Sequence, residues 1–205
     1  MSQEAFLMIQ SMDMKYIGNQ LVLQCAPVIS GWKISNLLKI SSENEELLIS
    51  ILRGTGLSYY KIFEHNLEGF FFIYRKELLE AYLNGKEARL LLKQEGYEEF
   101  ALEKVFDRFQ SRYAEYMERK EEFPHEIGIL LGYPIEDVNG FIKNKGKNSL
   151  YTGYWKVYEQ SEKKQRLFRQ FDEAKEAMIY LIGNVVDIRE IIDIYSTDRK
   201  NQKVG

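Results

Sequence analysis

The chain has 205 residues, of which 45% are apolar, 29% charged and 14% aromatic, with only three prolines; this composition folds into a packed body and excludes a long disordered polar polymer. A chain of this length buries about 70% of its unfolded surface, so no disulfide or metal is needed to hold a core. The lone Cys25 excludes an internal disulfide and a multi-cysteine zinc site, and the net charge of −3 gives no general attraction to nucleic acid.

Residues 1–24 carry Glu4, Asp13 and Lys15 among their apolar residues and lack the order of a secretion signal. The most apolar short run, 69–74, is far below the roughly 20 residues that cross a bilayer. With its single unpaired cysteine, the chain is expected to be cytoplasmic and to have no membrane or nucleic-acid partner.

Apolar residues at loose helical spacing predict one bent helix over 4–23, weakened at Gly18 and ended by Cys25, Ala26 and Pro27, because the residue before a proline is pushed out of helical angles. Residues 28–40 read either as a loop leading into a short strand or as a helical turn. Ser41 or Ser42 caps a helix with Leu47, Leu48, Ile51 and Leu52 as its buried stripe, stopped by Gly54 or Gly56. Residues 57–63 and 69–75, rich in aromatic and branched side chains around a polar turn, predict a β-hairpin.

Two short helices come next, over 78–83 and 88–92, broken at Asn84 and Gly85. The longest helical pattern covers 98–122, with an aromatic stripe that reads as core. Near the C-terminus, residues 161–182 repeat Leu167, Phe168, Phe171, Ala174, Met178 and Leu181 as a packing helix. Residues 185–195 are apolar enough to require burial, either within the domain or in a homodimer through Ile188, Ile191, Ile192 and Tyr195. Residues 196–205 read as a flexible polar tail.

Most of the unusual residues gather in 123–158, FPHEIGILLGYPIEDVNGFIKNKGKNSLYTGYWKVY. Pro124 and Pro134 each suit the start of a short helix, the first ended by Gly132. Residues 143–148 form a loop with Lys143, Lys145 and Lys147, either a solvated connection or an anion clamp together with Lys156. Residues 151–158 alternate, with Trp155 and Val157 on one face, and predict a strand in which Gly153 marks a bulge or a close approach.

The run FPHEIGILLGYPIEDVNGFI followed by GYWKVY, with CAPVISGWKISNLL near Cys25 and FIYR at 72–75, resembles the signature of an uncharacterised bacterial family, domain of unknown function 3793. The resemblance covers most of the chain and implies no established activity. It matches Cys25, Pro124, His125, Glu126, Gly132, Gly140, Gly153, Tyr154 and Trp155 to the family pattern, while Trp32 stands where the family more often carries an aliphatic residue.

His125, beside a helix start, is a candidate catalytic base or ligand contact, or else a structural cap. Glu126 points about 100° away around the helix, so the two do not form a dyad automatically. Cys25 is a candidate nucleophile only if the fold brings it to His125, and otherwise a small buried hydrophobe. Two histidines, His65 and His125, without metal-ligand spacing assign no metal, and no phosphate-loop or dinucleotide fingerprint names a cofactor.

The expected fold is α+β: a mostly helical single domain over 1–195 packed on a small sheet that includes an antiparallel hairpin. The first functional expectation is a small-molecule or anion-binding protein, with or without enzymatic activity at His125 and Cys25, whose site draws on Glu126, Lys145, Lys147, Tyr154 and Trp155. The alternative is a non-catalytic interaction module acting through its C-terminal helices.

Overall fold

In the computed structural model, which describes residues 1–118 and 122–202, helices outnumber strands and the chain has the expected α+β class. Its contacts cluster in two units, one made of Met1–Arg75 with Arg169–Gly205 and the other of Lys76–Phe168.

The first unit begins with α1 (Gln3–Ser11) and α2 (Ile17–Ile29). The expected single bent helix is two helices because Met12 turns extended and the Asp13 carboxylate accepts the Lys15 N–H at 2.8 Å, a local bond that competes with the helix. Gly18 is not the breaker. It lies in the first turn of α2, where an added Cβ would stand 2.5 Å from the Tyr16 ring.

Pro27 also departs from expectation, since α2 continues through it to Ile29. Residues 25–29 are all buried, and this packing outweighs the one backbone bond that proline removes so near the end. The helix stops where Gly31 turns to φ +80°. Its last carbonyls are then closed by the Arg75 guanidinium, which donates to the oxygens of Val28 and Ile29 at 3.0 and 2.8 Å.

Strand β1 (Ser35–Ser41) resolves the ambiguous stretch as a strand. A 3-10 turn (Ser42–Asn44) and α3 (Glu45–Leu52) come after it, with Leu48, Ile51 and Leu52 buried but Leu47 exposed. The predicted hairpin is β2 (Ser58–His65) and β3 (Glu68–Tyr74), and all three strands pair antiparallel in the order β1-β3-β2. The core of this unit includes Leu21 from α2, Leu38, Phe71 and Ile73 from the sheet, and Met178.

The second unit contains α4 (Lys76–Leu83), α5 (Lys86–Gln94), α6 (Leu102–Met117), α7 (Ile127–Leu130) and α8 (Ile135–Lys143). Strands β4 (Tyr151–Thr152) and β5 (Lys156–Val157) pair antiparallel, and the first turns of α9 (Ser161–Gly183) complete the unit. Only the first part of the aromatic stripe on α6 is core, namely Val105, Phe106 and Phe109, whereas Met117 is exposed. Residues 119–121, in the predicted extension of that helix, lie outside the described residues.

Two expectations need correction here. The single strand predicted over 151–158 is two short strands, β4 and β5, because residues 153–155 bend so that the Gly153 N–H reaches the Trp155 carbonyl at 3.1 Å. The predicted alternation survives the bend, with Trp155 and Val157 both buried. In addition, β4 and β5 form a sheet of their own rather than joining the hairpin.

In the first unit, α10 (Ile188–Gln202) places Ile188, Ile191 and Ile192 in the core, each at most 1% exposed. Tyr195 packs against the same cluster. These side chains cover their own unit, so an interface built on them would require α10 to leave its core. Residues 203–205 of the expected tail lie outside the described residues.

Candidate functional site

The site grows out of two short helices and the small hairpin of the second unit. Pro124 does not start a helix as expected: it opens a tight turn whose carbonyl accepts the Ile127 N–H at 3.1 Å, and α7 begins only after Glu126. His125 therefore sits in the turn itself, its ring 5.5 Å from Phe123 and 5.3 Å from Phe141. Pro134 does cap α8, and Gly132, at φ +69°, makes the corner between the two helices. At Gly128 an added Cβ would approach Val138 to 3.0 Å, so this glycine permits the close packing of α7 and α8.

On α8, Asp137 is the organising side chain. Its Oδ2 accepts the Trp155 indole N–H at 2.8 Å and lies 3.4 Å from the Lys164 ammonium. Its Oδ1 accepts the backbone N–H groups of Tyr158 and Glu159 at 2.8 and 3.3 Å. Lys164, almost fully buried, also pairs with Glu136 at 2.6 Å. One carboxylate thus fixes β5, the start of α9 and the indole at once, and both of its oxygens are fully engaged.

Held this way, Trp155 stacks on Tyr133 at 4.8 Å and meets Phe168 edge-on at 4.5 Å. The result is a hollow of about 310 Å³ lined by His125 and Lys156 together with the rings of Phe123, Tyr133, Phe141, Tyr154 and Trp155. Burial pushes the Tyr133 phenol up to about 12, so this ring is uncharged at neutral pH. The Lys156 ammonium donates to the Gly146 carbonyl at 2.6 Å and lies 5.9 Å from the centre of the Phe141 ring.

The structure thus brings His125, Tyr154 and Trp155 together, and it leaves the other sequence candidates elsewhere. Glu126, wholly buried, faces away from the hollow: Arg112 Nε stands 2.6 Å from its Oε1, and the Tyr97 hydroxyl donates to the same oxygen at 3.0 Å. Burial raises its proton affinity, opposed by Arg112 and Tyr97. Lys145 and Lys147 are exposed and do not line the hollow. The lysine at the hollow is Lys156, whose ammonium the Gly146 carbonyl holds.

Cys25 belongs to the other unit, where it is fully buried in the apolar core. Burial pushes its thiol up to about 12, which removes the thiolate that a nucleophile requires. Its environment is that of a packing residue. Among the described residues no group of three or more His, Cys, Asp or Glu side chains is arranged to hold a metal ion, and no described helix is long and apolar enough to cross a membrane.

Sequence reasoning missed Phe123, Tyr133 and Phe141 as lining residues and Asp137 as the organiser. Asp137 reads from sequence as one more acid in a helix first turn, and nothing local announces the four donors that reach it from residues 155–164. The aromatic rings carried a signal, since they cluster in one stretch, but their facing depended on the corner at Gly132.

Fold and site together define an α+β protein with an aromatic pocket built by two short helices and a β-hairpin. The chain belongs to the family described as protein of unknown function (DUF3793), whose family model matches residues 21–192 and so includes every residue of the pocket. No curated protein and no solved structure matches it.

Proposed function

We propose that this chain is a small-molecule-binding protein whose ligand occupies the hollow beside His125. The observation that carries this reading is the coexistence of five aromatic rings, an imidazole and an ammonium around a space of about 310 Å³. Packed interiors close such spaces, and binding pockets combine apolar walls with a few polar groups in this way. His125 makes ring contacts and no hydrogen bond among the described residues, leaving both its nitrogens for a bound molecule. If the protein acts on its ligand chemically, His125 is the group suited to move a proton. A cytoplasmic setting accords with the single, unpaired cysteine.

The test uses the two tryptophans. In a Trp32→Phe protein only Trp155 remains, so its emission reports on the pocket. A screen of small molecules should yield compounds that change this emission saturably, and the change should weaken in the Tyr154→Ala and His125→Ala variants. Absence of any saturable change, or hits that bind both variants unaltered, overturns the reading.

A further inference from the structure

We propose, resting on the reading of the hollow as a binding site, that its ligand is a planar aromatic carboxylate whose ring lies among the aromatic walls and whose acid group meets Lys156 and His125. Three features of the lining lead to this class.

The first is the state of the polar groups. Asp137, the only carboxylate of the lining among the described residues, already accepts two backbone N–H groups and the Trp155 indole and lies beside Lys164. It has no acceptor capacity left for a ligand cation or donor. Lys156 has three N–H donors and directs one to the Gly146 carbonyl, which leaves two for a ligand. His125 is committed only through its ring faces and edges. Lys156 and His125 are therefore the basic groups that face the hollow beside the Tyr133 and Tyr154 phenols, and an ammonium and an imidazole both suit a carboxylate.

The second feature is the sign and number of charges. Aromatic cages otherwise favour cations, but here the Lys156 ammonium already stands over Phe141, and a second cation in the same small space would be repelled. Among the described residues the lining has one lysine and no arginine, which suits a single negative charge rather than a polyphosphate. The third is shape. Rings that stack on one another, as Tyr133 and Trp155 do in the lining, present flat faces to which a flat ring adds at centroid separations of about 4.5–7 Å.

The experiment compares three ligands that share one ring and differ in charge: indole-3-acetate, indole-3-acetamide and tryptamine. Titration calorimetry on the full chain should show the acid binding at least tenfold tighter than the amide, with tryptamine weakest. Lys156→Met should reduce the acid to the affinity of the amide while leaving the amide unchanged, and Lys156→Arg should restore most of the difference. Equal affinity of acid and amide, or tightest binding by tryptamine, overturns the ligand class and leaves the pocket reading standing. Failure of all three to bind a protein that gives hits in the emission screen overturns the class alone, whereas failure of both experiments overturns the pocket reading with it.

Discussion

The indole N–H of Trp155 donates to Oδ2 of Asp137 across 2.8 Å inside the second unit, with both side chains buried. Through this bond the same carboxylate that anchors the backbone after β5 also sets the orientation of a pocket wall. Shape and stability are therefore coupled at the candidate site.

Removing that carboxylate should be costly. Asp137→Ala leaves the indole N–H, two backbone N–H groups and the buried Lys164 without their acceptor, and should destabilise the second unit by roughly 3–5 kcal/mol. Asp137→Asn, which keeps one acceptor oxygen, should cost less, about 1–3 kcal/mol. Urea unfolding followed by Trp155 emission in the Trp32→Phe background measures both, and equal stability of Asp137→Ala and the parent protein would show that the knot carries no weight.

A glycine sets the approach of α8 to the chain after β5. A Cβ at Gly140 would collide with the Tyr158 side chain, whose Cβ, Cγ and Cδ2 would all stand inside 3 Å. Gly140→Ala should therefore lower stability by roughly 1–3 kcal/mol. In the Gly140→Ala/Tyr158→Gly double variant this penalty should vanish relative to Tyr158→Gly alone, a non-additivity that a double-mutant cycle reads directly. Simple additivity would place the strain elsewhere.

The buried pair of Arg112 and Glu126 makes a prediction with a sign in pH. Arg112→Met strands a buried carboxylate whose proton affinity is already raised by burial, and should cost roughly 3–5 kcal/mol at pH 7. Because the folded state holds the Glu126 proton more tightly than the unfolded state, acidification favours folding at this group. The defect should shrink on going from pH 7 to pH 5, and adding Glu126→Gln should recover much of it at pH 7. A defect independent of pH would mean that Arg112 acts through Glu95, with which it also pairs at 3.0 Å.

In the first unit, burial lowers the Lys33 ammonium to about 7 and raises the Cys25 thiol to about 12. Between pH 7 and about 8.5 the unfolded chain holds the Lys33 proton and the folded chain releases it, so stability rises with pH, by about 2 kcal/mol over that window. From about 8.5 to 10.4 Cys25 opposes this trend, and above 10.4 its contribution alone makes stability fall. Lys33→Met should flatten the rise and Cys25→Ala should remove the thiol's share of the alkaline fall, as measured by urea midpoints across pH. A rise unchanged in Lys33→Met would assign it to another group.

The amphipathic spacings and the aromatic hairpin settled α3, α4, α5, α8 and α9, the pair β2 and β3 and the burial of Trp155 and Val157, because such patterns depend only on neighbours within a few residues. The crowding of rings between 123 and 158 was likewise legible in the sequence, and His125, Tyr154 and Trp155 from that stretch line one hollow. The path of the chain decided which polar groups meet. Asp137 finds its partners 18 to 27 residues further on, Glu126 turns to Arg112 instead of His125, and Cys25 enters the core of its own unit. Desolvation makes each of these pairings compulsory once the groups are buried, but which groups become buried together is a property of the folded chain and not of any local run of residues.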